Sequence, residues 1–424
     1  MYPLLRESLP STPPPAAPAP VAPPGRGIGR NVLYLGLTSL ITDISAEMVH
    51  SILPVYLVFQ LRLTPLQFGL IDGLYQGVAA VVRLAGGLAA DRWCRYKEVA
   101  ASGYALSAVC KLGFLAVGEA WLGLAAVVLL DRVGKGVRTA PRDALISLSS
   151  ARERLATAFG VHRTFDSAGA MLGPLVAFGL LALVPSGFDV VFVTSFCLAL
   201  VGLGVLLLFV ENRSAPTVAP EQPMPSARAA AALLVHRRFG ALVAVGTALG
   251  LATISDGFIY LALQRQGALN AGLLPLLYVA TAFCYFLLAL PAGWLADRLG
   301  RPAVLVGGYL LLLSVYAGLL WPLWGPMQVG ASVALLGAYY AATDGVLMAL
   351  GSTALPATLR GSGLALLATA TSVARLLSSV LFGAVWTVGG LQTAIALFAA
   401  GLAGAILVAI VVLRWLWAKR EEAR

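Results

Sequence analysis

Long apolar stretches separated by short polar loops run along almost the whole chain, and they constrain its fold more than any other feature. Of the 424 residues, 59% are hydrophobic and 11% are charged, whereas a soluble domain is about half apolar and a quarter charged. A helix needs about 20 apolar residues to cross a bilayer. The sequence therefore predicts an all-α membrane protein with twelve transmembrane helices. It excludes a soluble enzyme and a disulfide scaffold.

The predicted helices form two sets of six. The first set lies near 30–59, 66–90, 98–118, 121–148, 154–184 and 188–210. The second set lies near 238–265, 272–296, 302–322, 327–352, 361–386 and 391–417. We expect five segments: a disordered proline-rich tail at 1–28, a six-helix bundle at 29–210, a linker at 211–237, a second bundle at 238–418 and a tail at 419–424.

Basic residues are concentrated on alternate loops, while the opposite loops carry only Arg62 and Arg265. By the positive-inside rule, both termini and the linker are expected in the cytoplasm. The net charge of +10 is thus a signal of membrane topology, and it does not indicate a nucleic-acid partner. The four cysteines have no CxxC spacing, so we predict no metal and no cofactor.

An internal repeat relates the two sets of helices. The segment Gly87–Arg92 (GLAADR) returns 206 residues later as Gly293–Arg298 (GWLADR), and Arg95 corresponds to Arg301. Repeats of this kind pack as two halves around a pseudo-twofold axis, with a solute site between them. We therefore expect two pseudo-symmetric six-helix bundles.

The Asp-Arg loop between the second and third helices, repeated between the eighth and ninth, resembles the signature of the major facilitator superfamily. In that superfamily this loop latches a cytoplasmic gate. A positively charged loop with a turn glycine is the simpler interpretation. The resemblance implies a gating role for Asp91, Arg92, Arg95, Asp297, Arg298 and Arg301.

The fourth and fifth helices carry further motifs of the superfamily. The fourth helix resembles its proton-linked pattern at Arg132, Gly136 and Pro141. Lys135 and Arg138 stand where that pattern has glutamine and glycine. The fifth helix resembles the antiporter signature at Gly169, Gly173 and Pro174. Glycines four residues apart also permit close helix packing, so a purely structural role stays open.

Charged side chains inside the apolar helices are the sharpest sign of a functional site, because each costs at least about 2.5 kcal/mol at a helix centre. Asp43, Glu47 and His50 share one face of the first helix by their spacing. Carboxylates beside a histidine can exchange protons near neutral pH. We predict proton coupling at this face, with Arg132 and Asp166 as further candidates. The alternative is a static network of ion pairs.

Basic residues exceed acidic ones among the charged groups of the first half, which favours an anionic or zwitterionic solute. The second half is sparser, so we expect an asymmetric site. The candidate solute-binding residues are Lys135, Arg138, Arg142, Arg163, Asp256, Asp344 and Arg375.

Together these features predict a secondary transporter of the bacterial inner membrane that works by alternating access and exports a small organic solute in exchange for protons. We expect it to act as a monomer. Uptake or facilitated exchange of an organic anion is the alternative within the same class. A membrane sensor that keeps the fold without transport is the alternative of another class.

Overall fold

The computed structural model describes residues 29–93, 95–151, 154–213, 233–235, 237–266, 270–321, 326–355 and 360–421. The predicted tail at 1–28, most of the predicted linker and the last three residues lie outside these ranges. Within them the regular structure is helical, without strands. This agrees with the predicted all-α fold.

The first half contains α1 (Arg30–Val55), α2 (Pro65–Trp93), α3 (Tyr96–Val117), α4 (Trp121–Leu148), α5 (Leu155–Leu183) and α6 (Phe188–Phe209). The second half contains α7 (Arg237–Leu251), α8 (Asp256–Arg265), α9 (Leu274–Leu299), α10 (Arg301–Leu320), α11 (Pro326–Thr353) and α12 (Arg360–Glu421).

Ten helical stretches in the described ranges are long and apolar enough to cross a membrane. The longest, Ser362–Trp415, contains a break at Gly390, where φ is 83°. Helix α4 is not among the ten, and it carries six charged residues between Asp131 and Asp143. The count of twelve spans therefore stays a prediction.

One predicted helix is wrong in its continuity. The expected helix at 238–265 is interrupted, because the backbone unwinds between α7 and α8. The Tyr316 hydroxyl accepts a 2.6 Å hydrogen bond from the Ile254 amide and donates one to the Ala252 carbonyl. The Ser378 hydroxyl donates to the Thr253 carbonyl at 2.5 Å. An unwound backbone is stable at membrane depth only with such partners, and hydropathy does not reveal them.

The helices pack as two groups that meet along two seams. In the first half, α1 packs on α5 and α6, α3 on α4 and α6, and α2 on α4. In the second half, α11 packs on α9 and α10, and α12 packs on α7 and α10. Helix α2 contacts α12, and α5 contacts α9, so these two pairs join the halves.

Small residues allow the α2–α12 seam to close tightly. A β-carbon built on Gly69 would lie 2.5 Å from the Ser379 carbonyl oxygen, and one on Gly73 would lie 2.8 Å from that of Leu376. Both positions belong to the first part of α2. The contact therefore closes the end of the molecule at which α2 begins.

Glycines of α5 hold α1 equally close within the first half. A β-carbon on Gly169 would lie 2.8 Å from the Leu40 carbonyl oxygen, and one on Gly173 would lie 2.7 Å from that of Ile44. Pro174 follows directly and lies inside α5. This packing fixes the distance between α5 and the charged face of α1.

We expect Gly173→Ala to lower the free energy of unfolding by about 1–3 kcal/mol, because the added methyl group has no space against α1. Gly179→Ala on the same helix is the matched control, since nothing lies within 4 Å of its β-carbon position. The control should be neutral or more stable by roughly 0.5–1 kcal/mol. Thermal unfolding of both purified variants measures the difference, and equal melting temperatures would contradict the assigned packing.

Candidate functional site

A cavity lies between the two halves, and carboxylates and tyrosines are prominent in its wall. Its empty space is about 600 Å³, including the part open to solvent. The carboxylates in the wall are Glu47, Asp256 and Asp344. The tyrosines are Tyr260, Tyr278, Tyr285 and Tyr340. Within the described part of the chain, the wall contains neither lysine nor arginine.

His50 joins the two halves at this cavity. Its Nδ1 atom lies 3.1 Å from the Glu47 Oε2 atom, one turn back along α1. Its ring stacks on Tyr75 of α2 with centroids 4.1 Å apart, and its edge meets Tyr278 of α9 at 5.1 Å. A titratable pair thus contacts helices of both halves.

The third residue of the predicted α1 face, Asp43, is directed at α4. The Arg138 Nη2 atom lies 3.8 Å from the Asp43 Oδ1 atom. The Arg138 guanidinium also lies over the Tyr104 ring, 4.4 Å from its centroid. Arg138 is buried by these contacts, so its charge is compensated within the first half and it does not line the cavity.

A fully buried triad lies deeper between α3 and α4. Asp131 accepts a 2.7 Å hydrogen bond from the Lys111 Nζ atom and a second ion pair from the Arg132 guanidinium. The Arg132 Cζ atom lies 3.8 Å from the centroid of the Tyr75 ring. Arg132, predicted as a coupling residue, therefore contacts the ring on which His50 stacks.

The remaining cations of the first half differ in their partners. Arg142 donates to the Ser39 hydroxyl at 3.0 Å and pairs with the Asp143 carboxylate at 3.1 Å. Arg83 pairs with the same carboxylate at 2.9 Å. The side-chain ammonium group of Lys135 forms no ion pair or hydrogen bond with the described residues, although the charges of Asp43 and Glu47 act on it.

On α5, the Oδ2 atom of Asp166, a predicted coupling residue, lies 3.5 Å from the Nδ1 atom of His162. Its Oδ1 atom is buried without a hydrogen-bond partner. Arg163, between them in sequence, is exposed and makes no ion pair in the described part of the chain. The predicted α5 cluster therefore contains one contact, between His162 and Asp166.

The charged groups of the second half are more loosely held. The Tyr340 hydroxyl donates to the Asp256 Oδ1 atom at 2.8 Å. Arg375 lies 3.7 Å from Asp344, whose side chain is 49% exposed. Both carboxylates line the cavity, whereas Arg375 is not part of the described lining.

The sequence interpretation missed Asp72. This buried carboxylate of α2 accepts a 2.6 Å hydrogen bond from the Ser379 hydroxyl of α12, across the seam between the halves. It shares a small chamber with His50, Tyr75 and Tyr278. The signal that found the other carboxylates, a charge inside an apolar helix, applies equally to Asp72.

The predicted gate residues lie at the far ends of α2 and α9. Arg92, Arg95, Asp297 and Arg298 are exposed. Arg301 lies 4.0 Å from Asp297 and donates to the Ala349 carbonyl of α11 at 3.3 Å. The side chain of Asp91 lies outside the described part of the structure. No contact between the two gate loops is present among the described side chains.

The cavity is closed at one end and reachable from the other. The α2–α12 seam, with Asp72 and Ser379, closes the end at which α2 begins. Away from this seam, the side chains of Arg83 and Asp344 are 55% and 49% exposed. The structure is therefore open toward the gate loops.

The family model and the similar proteins point to the same superfamily. A sequence model of the Major Facilitator Superfamily matches residues 35–270. The uncharacterized MFS-type transporter MJ1317 of Methanocaldococcus jannaschii is 28% identical over 372 residues, covering 86% of this chain and 90% of that protein. The uncharacterized protein Rv2265 of Mycobacterium tuberculosis is 30% identical over 304 residues, covering 69% and 71%.

Solved structures show the same fold at low sequence identity. The nucleoside transporter NupG aligns with a TM-score of 0.72 at 15% identity, covering 91% of this chain and 98% of that one. The peptide transporter POT in complex with sulfate aligns with a TM-score of 0.70 at 16% identity, covering 92% and 96%. At these identities the likeness concerns the fold alone.

The buried triad makes a prediction about stability. Asp131→Asn leaves Lys111 and Arg132 buried without compensation, and breaking such a pair costs about 3–5 kcal/mol. Lys111→Met should cost less, because Asp131 and Arg132 remain paired. Asp189→Asn, at an exposed position in the first turn of α6, is the control and should change stability by less than about 1 kcal/mol. Thermal unfolding of the three variants tests this order, and a larger loss in Lys111→Met would refute it.

Proposed function

Because the chain belongs to the Major Facilitator Superfamily, we propose that it exports a small organic solute in exchange for protons. It is a multi-pass membrane transporter and not an enzyme. Under the proposal, the two halves rock about the central cavity, so that the solute site faces each side of the membrane in turn. The driving force is the proton gradient.

The contact geometry of His50 carries the proposal. A histidine and a carboxylate 3.1 Å apart form an ion pair when the imidazole carries a proton and a neutral–charged contact when it does not. The same histidine touches α2 of one half and α9 of the other. A motion that separates the halves would change the surroundings of His50, and with them its affinity for a proton. This is the requirement for coupling protons to a conformational change.

The proposal also includes the direction of transport and the orientation of the protein in the membrane. The basic residues on alternate loops support cytoplasmic termini in a bacterial inner membrane, with the open end of the cavity facing the cytoplasm. The glycine and proline pattern at Gly169, Gly173 and Pro174, which resembles that of antiporters, supports exchange and export. We propose that the monomer is sufficient, because the cavity is built from one chain.

Uptake or facilitated exchange of an organic anion is the second candidate, and Lys135 favours it. This cation is half-buried beside the α1 face and has no ion-pair partner within the described ranges. An anionic group reaching past the cavity wall could pair with it.

We expect Glu47→Gln to abolish proton coupling while leaving solute binding in place, because the amide cannot exchange the proton. Acidified inside-out vesicles with an internal pH dye would be given a panel of organic anions, cations and zwitterions. At least one solute should release protons from vesicles with the unmodified transporter and not from those with Glu47→Gln. The same solute should still undergo exchange through the variant, measured as counterflow of its labelled form.

Asp189→Asn is the matched control and should retain proton release. Proton release by Glu47→Gln at the unmodified rate would contradict the coupling role of the α1 pair. Loss of both proton release and counterflow in Glu47→Gln would also contradict it, since it would assign Glu47 to solute binding instead.

The α2–α12 seam must open in each cycle if access alternates. The Leu66 amide lies 3.0 Å from the Thr387 Oγ1 atom across it. We expect a disulfide between Leu66→Cys and Thr387→Cys, made in a chain without native cysteines, to stop transport reversibly. Reduction should restore transport, and each single cysteine variant should be unaffected by the oxidant. Unchanged transport in the cross-linked protein would be incompatible with opening at this seam.

A further inference from the structure

The net charge of the cavity wall differs from that of the first half as a whole. The excess of basic residues in the first half is held away from the cavity. Arg138 is paired with Asp43, and Arg132 shares the Asp131 carboxylate with Lys111. These cations are therefore not presented to a bound solute, and Lys135, which has no ion-pair partner within the described ranges, does not line the cavity.

The carboxylates of the wall have fewer cationic partners. Glu47 is bonded to His50, and Asp256 accepts only the neutral Tyr340 hydroxyl among the described side chains. Asp344 has Arg375 at 3.7 Å, a distance too long for a direct hydrogen bond. Two cations outside the wall thus stand against its three carboxylates, Arg375 beside Asp344 and Lys135 near Glu47, so a solute in the cavity meets a net negative wall.

The tyrosines add a second feature that suits a cation. Tyr278 and Tyr285 present accessible ring surface to the cavity, and the buried Tyr260 supports Tyr278 edge to face with centroids 4.8 Å apart. The hydroxyl of Tyr260 is bonded to Thr281 at 2.7 Å. Aromatic faces attract cations through the ring quadrupole, and more strongly where water is excluded.

We propose that the cavity binds an organic cation with apolar substituents, of the ammonium or phosphonium type. This rests on the proposed function and names its class of solute. Asp256 and Asp344 would supply the opposite charge, and the tyrosine rings would contact the substituents. Ala170, Pro174 and Ala282 complete an uncharged part of the wall.

The same charges explain why a cation and protons would exchange. A buried carboxylate without a cationic partner is costly, and either a proton or the bound cation can neutralise it. The two would then exclude one another at the cavity carboxylates. Proton release on solute binding would follow from this competition, and the His50–Glu47 pair would link it to the movement of the halves.

The test compares two probes of nearly equal size and opposite charge, tetraphenylphosphonium and tetraphenylborate. Their binding to the purified full chain is measured by titration calorimetry at alkaline pH, where the carboxylates are ionised. The phosphonium should bind at least about tenfold more tightly, which corresponds to a difference of roughly 1.4 kcal/mol. Equal binding of both probes, or tighter binding of the borate, overturns the inference.

Two variants with opposite expected effects protect the test from unfolding artefacts. Asp256→Asn should weaken phosphonium binding about tenfold, because it removes one of the negative charges that oppose the bound cation. Arg375→Gln should strengthen it severalfold, because the cation that competes for Asp344 is removed. A gain in affinity cannot result from a damaged fold. Weaker phosphonium binding in Arg375→Gln overturns the inference, and Asp189→Asn should match the unmodified protein.

The inference and the proposed function fail in different measurements. Selective phosphonium binding without proton release by any solute of the vesicle panel would leave the cation site standing and refute proton exchange. Proton release triggered only by anions, together with borate binding, would retain proton coupling and refute the cation site. The second result would favour the organic-anion candidate and Lys135.

Discussion

Neutralising charge in an apolar surrounding is the constraint on which the rest of this structure depends. Helix α4 carries six charged residues between Asp131 and Asp143. It is stable because its arginines pair with carboxylates on α1 and on α4 itself, while Asp131 also pairs with Lys111 of α3. The Asp131 triad is the extreme case, with all three side chains almost completely buried. Once these pairs form, the rotation of α4 about its axis is fixed. The carboxylates left over, at Glu47 and on the second half, then define the chemistry of the cavity.

In the second half, the corresponding constraint is an unwound stretch of polar backbone in the middle of a membrane protein. The break between α7 and α8 exposes amides and carbonyls, and Tyr316 and Ser378 satisfy several of them. Because α8 starts at Asp256, the break also brings this carboxylate to the positive end of a helix dipole. The irregular segment and the acidic side chain are therefore one arrangement, in which each stabilises the other at the cavity wall.

The fold could be predicted from the sequence because hydropathy and the 206-residue repeat act over whole helices. Most predicted ends fall within a few residues of the observed ones, as for α4 and α6. The site could be predicted only in part. Helical spacing put Asp43, Glu47 and His50 on one face, but it did not reveal that Asp43 meets Arg138 while His50 meets Tyr75 and Tyr278. The partner that each side chain contacts depends on the rotation of its helix and on residues distant in sequence. The hydrogen bond between Asp72 and Ser379, which joins the two halves, is an example.

The repeat gives the cavity its asymmetry. His50 and Asp256 occupy equivalent positions, 206 residues apart, and both line the cavity. Arg138 and Asp344 are also equivalent, yet Arg138 is buried against Asp43 and Asp344 faces the cavity. One pair of related positions thus lines the cavity from both halves. In the other pair, one residue is a buried structural partner and the other faces the cavity. Under proton exchange, this division gives each half a different task. The first half would hold the group that changes its proton affinity when the halves move, and the second would hold the charge that the solute neutralises.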